Sequence, residues 1–165
     1  YRFHAGSSMK SNAEIVWQGN NYQRFPISFE GAEFTGKGQI PRPTLTCANL
    51  GGITRSSSII TVTDLMIIVN LTTPHNDLAD AKLTRITTLA SELDAANFPS
   101  SSNPFGTPSS NELPQEIFFI DRKIAETREI VQFELVGELD QANKKLPSRQ
   151  VTRNEFPGVG SFING

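Results

Sequence analysis

The chain holds 165 residues with a formal charge of −2, of which 37% are hydrophobic and 8% aromatic. That length suits one domain with a small appendage, and no apolar run approaches the ~20 residues that span a bilayer. Its charges are mixed along the chain, and the densest basic cluster, Asn143-Lys144-Lys145, falls short of the stripe that phosphate neutralisation requires, so no nucleic-acid partner is expected.

A lone cysteine, Cys47, excludes an intrachain disulfide and any multi-cysteine metal site. The opening residues Tyr1-Arg2-Phe3-His4-Ala5-Gly6 lack the apolar core of a signal peptide. Tyr1 to His4 is strand-like. It is expected to pair with the Glu14 to Trp17 region, with a further strand ahead of it and its other edge open or taken by a neighbouring chain.

Two β-prone runs, Glu14 to Trp17 and Tyr22 to Phe25, flank Gln18-Gly19-Asn20-Asn21, and Gly and Asn accept the positive φ of a hairpin turn. Pro26 ends the second run or sets it at an edge. From Ile27 to Asn49 the pattern is extended, and Thr44 to Ala48 alternates like a half-buried strand. Asn49-Leu50-Gly51-Gly52 closes it.

Residues 53–70 read equally as strand or helix, since Ile, Val and Thr favour one while Ile60, Asp64, Ile67, Ile68 and Leu71 support the other. Asn76 to Ala81 is a turn leading into a strand at Lys82 to Leu89. Pro99 to Pro114, rich in proline and serine, is expected as a flexible loop, either a surface insertion or an arm that orders against a neighbour. Glu116 to Ile124 and Ile130 to Val136 form a second hairpin across Ala125-Glu126-Thr127-Arg128. Val131, Phe133 and Leu135 face one way and Gln132 and Glu134 the other, the period of a sheet with one wet face. The expected fold is mainly β with at most one or two short helices: a β domain over 1–153, then a Gly-rich tail over 154–165.

Two blocks, Val16-Trp17-Gln18-Gly19-Asn20-Asn21-Tyr22-Gln23-Arg24-Phe25-Pro26-Ile27 and Phe34-Thr35-Gly36-Lys37-Gly38 with Arg42 to Leu50, resemble the minor tail protein L family of lambda-like siphophages. Asp77 to Arg85 and Phe133-Glu134-Leu135 continue the resemblance in the same order. It implies a tail-tube-like β-sandwich or barrel, and a trimeric structural protein of the virion, made in the bacterial cytoplasm. The family protein sits at the tail tip between the distal tube ring and the central host-recognition protein. Family members usually continue, after a stretch like Leu146 to Asn154, into a cysteine-rich module holding an iron–sulfur cluster. Here Glu155-Phe156-Pro157-Gly158 follows, so no cluster or other cofactor is expected in this chain.

Several residue groups carry a possible chemistry beside a plainer reading. His75-Asn76-Asp77 with Asp80 has metal-ligand spacing, yet sits where polar residues satisfy a turn. Glu30 with Glu33, and Glu112 with Glu116, offer paired carboxylates of the kind glycosidases use, but read as solvated loop acids. Cys47 with His4 or His75 suggests a thiol nucleophile, though a lone cysteine within an alternating strand is a small buried hydrophobe. Gly36-Lys37-Gly38-Gln39 lacks the spacing of a phosphate loop. No catalytic, metal or cofactor residues are assigned. Trp17, Phe25, Phe105, Phe118 and Phe119 are the candidate interface anchors, the residue type that dominates such contacts. A carbohydrate-binding module and a tip hydrolase are the alternative functions.

Overall fold

A computed structural model describes residues 1–6, 14–33, 41–55, 57–140 and 158. The fold is mainly β with one α-helix. Strands β1 (Phe3–His4), β2 (Ile15–Trp17) and β3 (Asn20–Arg24) form a small sheet in the order β1-β3-β2. The β2–β3 turn is only Gln18-Gly19, at φ 50° and 70°, shorter than the four residues expected. Two successive positive φ values make the tight turn that matches strand twist, and Asn20 and Asn21 are thereby free to pair with Trp17 and Val16.

β1 does not pair with the β2 region as expected. It runs parallel to β3, with Phe3 opposite Gln23 and His4 opposite Arg24. The Asn97 side chain already hydrogen-bonds Val16 of β2, and pairing with β3 instead brings the Phe3 ring within 5.1 Å of Phe25.

The main sheet has five antiparallel strands. β4 (Ile27–Glu30) and β5 (Thr44–Ala48) pair on one side, and β8 (Lys82–Arg85), β9 (Glu116–Glu126) and β10 (Ile130–Gly137) complete the order β4-β5-β10-β9-β8. Alternation holds as read from sequence: Leu45, Cys47, Val131, Phe133 and Leu135 are buried on one face. The β9–β10 turn falls at Thr127-Arg128-Glu129, later than expected, because the Thr127 hydroxyl accepts the N–H groups of Glu129 and Ile130.

Register shifts leave Asp121 and Ile124 of β9 without a partner opposite. Such bulges bend a strand and increase its twist. The sheet curls far enough that the Arg85 guanidinium, on one edge strand, lies 5.1 Å over the Phe29 ring of the other.

The ambiguous stretch 53–70 contains both structures. β6 (Ile53–Arg55) and β7 (Ser58–Ile60) form a hairpin, followed by α1 (Val62–Asn70). Thr61 starts the helix with a reciprocal cap, accepting the Asp64 N–H while its own N–H donates to the Asp64 carboxylate. Two orphan donors are thus satisfied. Val62 and Met66 drop onto the sheet and join Phe25, Ile53, Phe118, Ile120 and Phe133 in one core. Each large side chain buried there contributes about 1.5–3 kcal/mol.

The strand expected over Lys82 to Leu89 stops at Arg85, and beyond it the Thr87 carbonyl accepts the Leu113 N–H. Pro99 to Pro114, expected as a flexible loop, is tied to its flank. The Asn103 amide donates to the carbonyls of Ala90, Ser91 and Leu93 at 3.0–3.1 Å, and Ser109 donates to Glu92.

Candidate functional site

The candidate chemical groups are spread over separate elements, and several are already engaged with partners of their own. His75, Asp77 and Asp80 all adopt positive φ in the turns after α1. The Asp77 carboxylate takes Lys123 Nζ at 2.7 Å and Asn70 Nδ2 at 2.7 Å. Lys123 first and Asn70 second hold it below the usual carboxylate range, so its charge serves to fix the turn against β9. The Glu30 carboxylate accepts from Ser28, Glu112 from Gln115, and Glu116 from Arg85 at 2.7 Å. Cys47 is buried on the core face of β5, where desolvation pushes its thiol up to about 11. A nucleophile needs the thiolate, which this environment suppresses. The Gly36 to Gln39 segment, Asn143 to Lys145 and Phe156 lie outside the described residues.

Of the five candidate anchors, three belong to the interior. Trp17, Phe25 and Phe118 are 5%, 2% and 6% exposed, because each alternates inward on its strand or beside it. Phe119, on the opposite face of β9 from Phe118, is half-buried. Phe105 is 58% exposed and meets Phe98 edge-on at 5.9 Å. Exposed apolar side chains cluster elsewhere, with Ile67 and Leu71 lying one turn apart at α1.

Three polar devices organise the described surface, and the partners within each were not legible in the sequence. Asn97, 4% exposed, accepts the Val16 N–H at 2.6 Å and donates to the Val16 carbonyl at 2.5 Å, so its amide acts as a strand residue along the edge of β2. Asp94, three residues earlier, receives the turn N–H groups of Gln18 and Gly19. Asn49, buried at the end of β5, donates to Thr63 and to the Thr127 carbonyl and accepts the Thr63 N–H. It thereby joins the helix start to the β9–β10 turn beside an open depression lined by Leu50, Glu126 and Arg128.

The third device is the wet face of the five-stranded sheet. Arg42 meets Asp140 at 2.7 Å, Glu134 at 3.3 Å and Asp121 at 3.6 Å, and Arg122 meets Glu134 at 2.7 Å. Hydrogen bonds from Arg122, then Arg42, keep the Glu134 carboxyl below its ordinary value. Glu30 lies in the same cross-strand row, opposite Thr44, which is opposite Glu134. This geometry joins β4, β5, β10 and β9 into one charged outer surface.

The model of a family described as phage minor tail protein L matches residues 1–159. A stretch of 51 residues is 41% identical to the tail tip protein L of Escherichia phage lambda, covering 31% of this chain and 22% of that protein's length.

Proposed function

The chain belongs to the phage minor tail protein L family, and from that premise we propose that it is a non-enzymatic structural subunit of a phage tail tip. In this reading three copies close a ring in the virion, joining the distal tube ring to the central host-recognition protein. The chain contributes shape and contact surface, with no cofactor of its own. Its lone thiol is the buried Cys47, and an iron–sulfur cluster needs several thiolates.

One observation carries the proposal. α1 is apolar on nearly every side, yet only Val62 and Met66 are buried by this chain, while Ile67 and Leu71 are 53% and 79% exposed. A helix that is hydrophobic all round is normally covered, and exposed apolar patches mark interaction sites. A neighbouring tail protein supplies that cover. The glycan-binding alternative calls for free aromatic faces, whereas Tyr1 stacks on Phe3 and Phe105 sits against Phe98.

The test replaces Ile67 and Leu71 by Asp together in the full-length protein, with Asp64 and the buried face untouched. The expected result is a folded protein that no longer enters tail particles, and a wild-type particle map with α1 against a neighbour. Normal incorporation of the double variant, or a single copy per tail, refutes the reading.

A further inference from the structure

Both ends of α1 are tied to β9 through one side chain. In the first turn the Thr63 hydroxyl donates to the Glu126 carboxylate at 2.6 Å. At the last residue the Asn70 amide donates to the Asp77 carboxylate at 2.7 Å. Lys123 Nζ lies 2.7 Å from each of those two carboxylates. Thr63, Glu126, Lys123, Asp77 and Asn70 therefore form one chain of polar contacts from end to end of the helix, with a single cation at its centre.

Helical geometry gives that chain a direction. Thr63 and Asn70 stand seven residues apart, close to two turns, and so share one side of α1. At about 100° per residue, that side falls between the buried Val62 and Met66 and the exposed Ile67 and Leu71. A tie along it fixes the rotation of the helix, with the first pair down on the sheet and the second pair outward.

The two ends are not equally secured. Asn49 also holds the first turn, donating to the Thr63 hydroxyl and accepting the Thr63 N–H. The buried residues of α1 are Val62 and Met66, both in its first five positions. The C-terminal half has no buried residue and leads into a turn whose Asp77 and Leu78 are left-handed, at φ 46° and 67°, a backbone that L side chains rarely adopt. Leu78 packs on the core and the Asp80 N–H donates to the Ile120 carbonyl, so the far end of the turn stays on β9. Its helical end is joined through Asn70 and Asp77.

Charge makes Lys123 the deciding group. Lys123 first, and then Thr63, hold the Glu126 carboxyl below its ordinary value, while the charge of Asp77 works against them. The two carboxylates thus sense each other across the ammonium. Removing one member of a partly covered ion network leaves the remaining charges uncompensated. Glu126 stays with the stapled Thr63, so the Asp77 end is the one that gives way.

We infer that Lys123 is a positioning residue: its charge, shared between Asp77 and Glu126, seats the C-terminal half of α1 and with it the Ile67–Leu71 face. The role of that face in contact rests on the tail-tip reading, whereas the seating does not.

Hydrogen exchange on the full 165-residue chain tests the seating, because a segment that opens alone exchanges ahead of the sheet. Lys123→Met keeps an apolar stem and removes the charge. The Ile68 to Leu71 amides should exchange at least tenfold faster, and those of Leu65 and of Val131 to Leu135 less than twofold faster. Adding Asp77→Asn and Glu126→Gln to that variant removes the repulsion and should return the Ile68 to Leu71 amides to within threefold of wild type. A purely packing role for the Lys123 stem predicts no such recovery. Unchanged exchange at Ile68 to Leu71, equal acceleration in α1 and β10 (an unfolded variant included), or no recovery in the triple variant overturns the inference. If exchange behaves as expected while the Ile67→Asp, Leu71→Asp variant still enters tails, the seating stands and the contact role falls.

Discussion

Replacing Asn97 by Ala is expected to destabilise the chain by about 2–4 kcal/mol, a large effect for a polar residue in a loop. The Asn97 amide makes bonds of 2.6, 2.5 and 2.8 Å to the Val16 N–H, the Val16 carbonyl and the Asp94 carbonyl. Leaving a buried donor or acceptor unmade costs roughly 1–3 kcal/mol each. Val16 is only partly buried, so water recovers some of that loss, and the total sits well below the sum for three sealed groups. Asn97→Asp is the sharper variant. It keeps the acceptor for the Val16 N–H but sets a carboxylate against two carbonyl oxygens, so it should cost at least as much as Ala. Urea unfolding monitored by fluorescence of the single Trp17, which lies next to Val16, gives the stability change as a shift in midpoint at constant slope. Hydrogen exchange at the Val16 amide gives the local effect, with faster exchange expected in both variants. A change below about 0.5 kcal/mol, the ordinary range for surface substitutions, together with unchanged Val16 exchange, would refute the view that Asn97 functions as a strand.

Three further outcomes follow from the same geometry. Asp77 is held below its ordinary value first by Lys123 and then by Asn70, so its contribution is present above the unfolded carboxylate value near pH ~4 and is lost as pH falls through the lower folded value. Asp77→Asn should therefore be less stable than wild type at pH 7, and the gap should close in acid denaturation series carried below that window; a gap independent of pH contradicts the assignment. Cys47, buried and pushed up to about 11, should react with a thiol reagent at pH 8 only after denaturation, and fast labelling of the folded chain would place it elsewhere. Thr61→Ala removes the helix cap and should cost about 1 kcal/mol, measured by thermal unfolding, with no loss indicating that tertiary packing alone holds α1.

Local pattern carried the sequence reading wherever one face is wet and one dry. Val131, Phe133 and Leu135, or Leu45 and Cys47, declare their direction by alternation alone, and both are buried as read. The reading stopped where tertiary partners decide. Phe118 and Phe119 are adjacent and chemically identical; only the pairing of Phe118 with Gly137 and Leu83 turns it into the core. The parallel pairing of β1 with β3 joins residues 20 apart by their shared register with no turn between them, and no short-range signal announces it. α1 is a different case, because its signal was present: Thr61 and Asp64 stand at the spacing of a reciprocal cap, and the Ile- and Val-rich run that follows concealed it. Asn97 and Asn49 gave no sign, since an asparagine that staples a strand edge looks in sequence like one that faces water.

The bulges of β9 connect the curvature of the sheet to its charge. Strict alternation onward from Phe118 and Ile120 would send Arg122 toward the core and Lys123 to solvent. The unpaired Asp121 reverses that order, so that Arg122 stands opposite Glu134 on the wet face and Lys123 stands opposite Phe133 on the dry one. A lysine suits that position, since its long stem lets a charge leave an apolar face for the rim, and here Asp77 and Glu126 each meet the ammonium at 2.7 Å. The second bulge, at Ile124, restores the original phase and returns Glu126 to the dry face, within reach of both Lys123 and Thr63. The same two residues therefore bend the sheet around its core, aim Asp121 at Arg42, and decide which cation anchors the turn after α1 and which joins the ion pairs of the outer face.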